Sequence, residues 1–306
     1  MKVLIVARYK EQGYAPFVRE QVDALQLLGV TCQYFPMQGK GVRGYLKQLS
    51  AFRQAIKSFN PDIIHAHYGL CGLFANLQRR IPVVTTYHGS DINNSSVLRF
   101  SWIAIWLSAF NVFVSRRCVD IAKPKKNYAV IPCGIDLDEY PLLDKTEARK
   151  QMGLKEDRKY VLFAGAFDNP VKNAPLAKGA VSFLPDVELL ELKGFPRQKV
   201  AVLLQAVDAL LMTSFTEGSP QIIKEALACG CPIVSVDVGD VKERTKDVDG
   251  CWIVNNDQLS IKDALTLVFE TKRKTNGRDI IMRDGLTNDM VASNLNCIYS
   301  NIVAHY

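Results

Sequence analysis

The sequence predicts an α/β protein: two doubly wound parallel-sheet (Rossmann-like) domains in tandem, facing each other across a cleft. Three observations predict the layout. Short apolar runs of four to six residues recur almost from end to end, with amphipathic helical segments between them. The runs lack clean period-two alternation, as expected of strands covered on both faces of a parallel sheet. The pattern halts once, over the polar, charge-dense stretch 136–159, and then restarts, and 306 residues suffice for two cores. Two parallel sheets in tandem would place a cleft between their carboxyl ends, where such sheets bind ligands.

In order, the first half reads as strand 3–7, helix 16–28, strand 31–35, helix 43–59, strand 62–66, helix 70–79, strand 83–87, helix 97–109, and strands 112–115 and 129–131. Residues 136–159, with Pro141 and a short helix 145–152, read as an interdomain connection. The second half gives strand 160–164, helix 174–183, strand 187–192, helix 197–207, strand 209–213, helix 221–229, strands 232–236 and 251–254, and helix 260–271. Segment 288–304 carries Met290, Val291, Leu295, Ile298 and Ile302 on one side, an amphipathic helix. The expected division is residues 1–143, 144–287 and a closing helix in 288–306.

Composition narrows the class. The apolar start, Met1 to Ala7, is too short for a signal peptide and reads as a buried strand. The longest apolar stretch, 97–114, is interrupted by Arg99, Ser101, Ser108 and Asn111, which argues against a membrane span. Its Trp102, Ile103, Ile105, Trp106 and Leu107 read first as a core helix, with an aromatic membrane-facing patch as the other reading. Eight cysteines form no C-x-x-C pair, and Cys229-Gly230-Cys231 is too tight for a zinc knuckle, so reduced thiols and a cytoplasmic location are expected. Net charge is +7. The clusters Arg79-Arg80, Arg116-Arg117 and Lys123-Pro124-Lys125-Lys126 are either a solvated surface or a face for anionic headgroups or an anionic acceptor. No nucleic-acid-binding module accompanies them, so no nucleic acid is expected. The G-x-G-x-x-G fingerprint, the Walker lysine loop and the G-x-S-x-G elbow are all missing, and no Ser-His-Asp arrangement can be defended.

The chemistry concentrates at strand ends. In Glu217-Gly218-Ser219-Pro220-Gln221-Ile222-Ile223-Lys224-Glu225 two carboxylates flank a tight turn that opens a helix. Such a turn aims backbone N–H groups and a helix dipole at one point, which suits a phosphate, while carboxylates accept from sugar hydroxyls. In Gly165-Ala166-Phe167-Asp168-Asn169-Pro170-Val171-Lys172-Asn173, Lys172 offers a mobile charge on the same rim as Glu217. In the first half, His88-Gly89-Ser90-Asp91 ends a strand, with His88 able to bond a substrate oxygen and Asp91 to contact acceptor hydroxyls or act as a base. His65 and His67 share one side of the neighbouring strand and suit polar packing better than a metal, with His67 or Tyr68 near the cleft. The loop Gln12-Gly13-Tyr14 opens the first helix.

Taken together, these residues resemble the GT-B-fold retaining glycosyltransferases of family 4 (glycosyl transferases group 1). Pro61-Asp62-Ile63-Ile64-His65-Ala66-His67 looks like the family's strand before its acceptor region, and His88-Gly89-Ser90-Asp91 like its histidine turn. Ile131-Pro132-Cys133-Gly134-Ile135-Asp136 is similar to its I-P-N-G-V-D segment, and Glu217 to Glu225 fits its paired-glutamate motif. The resemblance implies transfer of a hexose from a UDP- or GDP-sugar to a glycan or lipid-linked acceptor with retention, without metal or other cofactor. By it, Glu217 would bind donor hydroxyls and Glu225 the ribose, with Gly218, Ser219 and Pro220 over the donor phosphate. Lys172 would neutralise the leaving diphosphate beside Gly165 and Asn173, and Gly194 would lie by the nucleobase. His88 would stand at the reacting centre, with Gly13, His67 and Asp91 on the acceptor side. The final helix would cross back onto the first domain, and an anionic membrane would be a peripheral contact. Two positions depart from the pattern: Gln12-Gly13 replaces Gly-Gly, and Ala166 replaces an arginine. A non-hydrolysing nucleotide-sugar epimerase or a catalytically lapsed sugar-nucleotide binder are the alternatives on the same fold.

Overall fold

The computed structural model describes every residue except Gln12, Lys40, residues 272–274 and Tyr306, and the side chains of Gly41 and Val42. The chain splits into two compact units, one of Met1–Gly134 with Leu286–Tyr306, the other of Ile135–Gly285.

The first unit runs β1 (Lys2–Arg8), α1 (Pro16–Leu27), β2 (Thr31–Met37), α2 (Gly41–Leu46), α3 (Leu49–Phe59), β3 (Ile63–His67), α4 (Gly69–Ala75), β4 (Val83–Tyr87), α5 (Ser95–Leu107), β5 (Phe110–Phe113), α6 (Arg116–Ala122) and β6 (Tyr128–Val130). The second holds α7 (Lys145–Met152), β7 (Lys159–Phe163), α8 (Ala174–Val181), β8 (Val187–Glu191), α9 (Arg197–Ala206), β9 (Ala209–Met212), α10 (Gln221–Ala228), β10 (Ile233–Val236), α11 (Val241–Arg244), β11 (Cys251–Val254), α12 (Gln258–Thr271) and α13 (Gly277–Arg283). Helix α14 (Asn288–His305) returns to the first unit.

Both sheets are parallel throughout, with strand orders β2-β1-β3-β4-β5-β6 and β11-β10-β9-β7-β8. Strand β1 shows why its sequence lacks alternation. Val3, Ile5 and Ala7 pack with α1 and α14, while Leu4 and Val6 pack on the other face with Phe52 and Phe74. In each sheet the order reverses once, between β1 and β3 and between β7 and β9. Those reversals are the points at which doubly wound sheets open a ligand crevice beyond their carboxyl ends.

Four expectations need correction. The stretch 136–159 is part of the second unit, because Tyr140 and Ala148 are fully buried and the Arg149 guanidinium, 6% exposed, reaches Asp208 at 3.1 Å and the Glu156 carbonyl at 2.7 Å. The division therefore falls after Gly134 rather than after residue 143. The expected helix 43–59 is two helices, with the Gln48 amide at the break donating to the Gln38 carbonyl at 2.6 Å. Helix α6 went unforeseen: Ser115 does not end a strand but caps this helix, its hydroxyl accepting from the Cys118 N–H at 3.3 Å.

Helix α5 is the fourth. Its buried residues are Leu98, Ser101 and Ala104, while Trp102 and Trp106 are 51% and 81% exposed. The small face turns inward because α4 approaches too closely for anything larger: a Cβ on Gly69 would lie 2.0 Å from the Ser101 hydroxyl oxygen. The tryptophans are left outside.

Candidate functional site

At the reversal of the second sheet, the loops after β7 and β9 are tied together. The Phe215 N–H donates to the Val171 carbonyl at 2.9 Å, and the Thr213 hydroxyl to the Lys172 carbonyl at 2.9 Å. Lys172 Nζ then reaches Glu217 Oε1 at 2.6 Å, with the two side chains only 21% and 16% exposed. Gly165 makes room for this lysine. A Cβ there would lie 2.7 Å from Lys172 Cγ. Asn173 takes a left-handed conformation, φ 56°, at the start of α8, and Gly194 takes φ +77° in the loop after β8. Ala166 is followed by Phe167, whose N–H donates to Glu191.

The turn of Gly218, Ser219 and Pro220 opens α10 with no capping side chain, Pro220 sitting one residue before the helix. Its underside is ionic. Ser219 donates to Asp240 Oδ2 at 2.8 Å, Arg244 stands 3.3 Å from the same carboxylate, and fully buried Lys224 approaches Ser219 at 3.4 Å. Burial pushes the Asp240 pKa up, and Lys224, Ser219 and Arg244 pull it back. Glu225 is also raised by burial, opposed by Arg197, by the Tyr140 hydroxyl bonded to it and by Lys224. Arg197 Nε donates to the Tyr140 oxygen at 3.0 Å, and Arg278 braces Tyr140 through its carbonyl at 2.8 Å. Glu217 and Glu225 are thus differently placed: one paired with a lysine, the other held beside Tyr140 and Arg197.

On the first unit, His88 is half-buried at the end of β4. Its Nε2 meets His67 Nδ1 at 3.0 Å, its Nδ1 faces Cys133 Sγ at 3.7 Å, and its ring packs on Phe17 and Tyr68. His67 is fully buried behind His88, and burial pushes its pKa down to about 3. Behind it His65 is neutral for the same reason. The Tyr299 hydroxyl on α14 and His65 Nδ1 are hydrogen-bonded at 2.5 Å, and His65 Nε2 is bonded to the Thr86 hydroxyl at 2.7 Å.

Asp91 is not placed as a base or a hydroxyl acceptor. Its Oδ1 accepts from the His88 and Gly89 N–H groups at 3.0 and 3.1 Å and its Oδ2 from the Gly69 N–H at 2.8 Å, which makes it the pin of the histidine turn. Burial outweighs these three bonds and raises its pKa to about 6. Gly13, at φ +91°, closes a tight turn with Lys10 through paired backbone bonds of 3.1 and 2.8 Å; Gln12 lies outside the described residues.

Sequence reasoning missed Lys224, Asp240, Tyr140, Arg197, Cys133 and Tyr299. A lysine among Ile223, Ala226 and Leu227 on the buried face of a helix was a signal for the first. No local pattern marks the others, which come together from distant parts of the chain.

The sequence matches the model of Glycosyltransferase Family 4 over residues 7–139 and that of Glycosyl transferases group 1 over residues 153–270. It is 26% identical over 238 residues to TuaC of Bacillus subtilis, which carries the name of a teichuronic acid biosynthesis glycosyltransferase, covering 67% of this chain and 61% of that protein. It is 26% identical to a D-inositol 3-phosphate glycosyltransferase of Geodermatophilus obscurus, covering 79% and 69%. An N-acetyl-alpha-D-glucosaminyl L-malate synthase of Bacillus anthracis matches at 25% over 60% of this chain and 58% of that one. The chain thus spans about three fifths of the length of two of these relatives. Among solved structures, a sucrose-phosphate synthase from Thermosynechococcus elongatus superposes with a TM-score of 0.86 at 16% identity over the whole of both chains. Anabaena HepE in complex with UDP gives 0.77 at 16% identity, over 98% of this chain and all of that one.

Proposed function

The chain belongs to glycosyltransferase family 4 (glycosyl transferases group 1), and we propose on that footing that it moves a hexose from a nucleoside diphosphate sugar to a hydroxyl of a glycan or lipid-linked acceptor, with retention at the anomeric carbon. The observation that carries the reading is the Lys172–Glu217 pair at the strand-order reversal of the second sheet. A cation and a carboxylate 2.6 Å apart are matched to the two ends of a sugar diphosphate. Lys172 turns to the diphosphate as it takes on charge, and Glu217, released, accepts from the sugar hydroxyls. Glu225 accepts from the ribose hydroxyls. Uncapped N–H groups at the start of α10 add to the phosphate site. Preorganised charge of this kind is the largest single source of rate enhancement in such transfers. As the diphosphate leaves, its own oxygen takes the acceptor's proton on the same face, so no enzymic nucleophile enters. His88, steadied by His67, takes the reacting-centre role that the family resemblance implies.

UDP is the first nucleotide to test, since HepE is solved with UDP and with UDP-glucose. The experiment is a thermal-shift screen of UDP, GDP, ADP and their sugars on wild type and Glu225→Ala. A ligand that binds only the folded form raises the melting temperature. One nucleotide giving a shift that Glu225→Ala loses supports the donor site; no shift at millimolar ligand on folded protein refutes it.

The exposed face of α5 supports peripheral attachment at an inner membrane face. Trp102 Nε1 donates to the Ala122 carbonyl at 3.1 Å, which sets the indole beside exposed Lys123, Lys125 and Lys126. Indole at the headgroup level with lysines alongside suits anionic lipid. Co-sedimentation with phosphatidylglycerol vesicles, lost in Trp106→Ser/Lys125→Glu, is the expected result; equal pelleting of the variant counts against it.

A further inference from the structure

A cavity of about 630 Å³ opens in the first unit where its sheet reverses order, beyond the carboxyl ends of β1 and β3. The size suits a small organic ligand, and its walls are chemically one-sided. Arg8 ends β1, Lys10 lies in the loop after it, and Arg19 projects from the first turn of α1. Among the described residues none of the three is ion-paired. The one acidic residue on the lining, Asp91, has both oxygens engaged by backbone N–H groups. Helix α1 also opens on the cavity at Ala15 and Pro16 without a capping side chain, adding its positive end. Three cations stand around one concavity against a single lining carboxylate whose oxygens are already engaged, so the described lining carries an excess of positive charge.

The aromatic lining carries a second, independent observation. Tyr68 has φ 73° and ψ 147°, a conformation that a side-chain-bearing residue rarely adopts. It is held there by its N–H on the Thr86 carbonyl at 2.8 Å and by Gly69 on Asp91. Glycine would fit this backbone without strain, yet the position carries a phenol on the cavity wall, its ring centroid 4.6 Å from that of His88. Strain maintained by surrounding bonds at a cavity wall marks a side chain kept for what it touches.

We propose that this cavity seats the acceptor, that the acceptor bears an anionic group, a phosphate or a carboxylate, gripped by Arg8, Lys10 and Arg19, and that Tyr68 is the specificity wall turning its hydroxyl toward His88. The word acceptor rests on the transferase reading above; anion recognition by the cavity does not. Arginine and lysine together give both fork-like and point-charge contacts to such a group, and the Tyr68 ring stacks on the carbon skeleton between anion and hydroxyl.

The test is calorimetric titration of the full chain, without donor, with glucose 6-phosphate, L-malate and glucose, and sedimentation with phosphatidylglycerol vesicles. Variants are Arg8→Gln/Lys10→Gln, Tyr68→Gly, and the charge-matched control Arg53→Gln/Lys57→Gln on the exposed face of α3. Wild type is expected to bind an anionic probe at least tenfold tighter than glucose. The Arg8/Lys10 variant should lose tenfold or more of that affinity and the control none. Tyr68→Gly should weaken binding while melting no lower than wild type, which separates a lost contact from a damaged fold. Loss confined to the soluble probes assigns a free phosphorylated or carboxylated acceptor; loss confined to vesicles assigns a lipid-borne phosphate. Equal affinity for glucose and glucose 6-phosphate, with no vesicle binding beyond that lost in Trp106→Ser/Lys125→Glu, overturns the proposal, as does soluble-anion binding that the Arg8/Lys10 variant retains. An absent nucleotide shift would sink the transferase reading and leave this result standing.

Discussion

Lys172→Ala separates a structural ion pair from a catalytic one. At 2.6 Å the attraction between Lys172 and Glu217 is about 6 kcal/mol at an effective dielectric of about 20. Most of that is offset by desolvating the two groups and fixing a long side chain. With the side chains 21% and 16% exposed, deleting the lysine and stranding the glutamate should cost ~1–2 kcal/mol of stability. For a unit of this size that lowers the melting temperature by about 2–8 °C. The catalytic cost is larger, because the lysine is asked to meet charge that develops only as the diphosphate departs. Loss of one such preorganised group costs about 100- to 1,000-fold in kcat, or ~2.7–4 kcal/mol. The assay is release of nucleoside diphosphate from the donor found by thermal shift, with calorimetric melting on the same samples. Lys193→Ala, which removes an exposed lysine paired with Asp168, should change neither reading. If Lys172→Ala melts as predicted but loses less than tenfold in kcat/KM, the pair holds the loops together and the leaving-group role is refuted.

Gly165→Ala should disturb the same lysine from the other side, since its Cβ would crowd Lys172 Cγ at 2.7 Å; nucleotide affinity should fall tenfold or more with little loss of the fold, and an unchanged affinity would show that the lysine can move aside. Acid should destabilise the first unit. His67 has its folded pKa depressed to about 3 from 6.5 by burial, so its contribution is complete above pH 6.5 and drains away as pH falls toward 3. Asp91, raised to about 6 from 3.8, works the other way, losing stability as pH climbs from about 4 to 6, but buried His65 sides with His67 and the imidazoles prevail. Urea titrations of wild type and His67→Gln from pH 7 to 4.5 should converge on acidification; a constant gap would contradict the argument. Tyr299→Phe should cost ~1–3 kcal/mol by leaving His65 Nδ1 buried without its hydrogen-bond partner, read as a lower urea midpoint, with nucleotide binding unchanged.

How much of this was legible follows from where each interaction is encoded. Strands β4 and β11 and helix α7 were read to the residue, because their signals are local: apolar runs covered on both faces, and an Asp144 cap closed by Gly153. Glu217, Lys172 and His88 were legible for a related reason. A strand-end loop of a doubly wound sheet announces itself by the strand before it and the helix after it, and the family resemblance then supplied roles. What escaped is encoded in pairs far apart in sequence. Tyr140 lies beneath Glu225 only because 136–159 folds into the second unit, and a polar stretch with a proline looks the same whether it links units or lies against one. Asp91 illustrates the limit best. Its spacing after His88 suited a base, yet the residue that takes its other oxygen is Gly69, 22 positions earlier. That single long-range bond turns a plausible catalyst into the clamp that fixes the histidine turn and holds the strained backbone of Tyr68. Arg8, Lys10 and Arg19 are equally silent in the motif, since only the reversal of strand order brings the end of β1 and the start of α1 to one cavity wall.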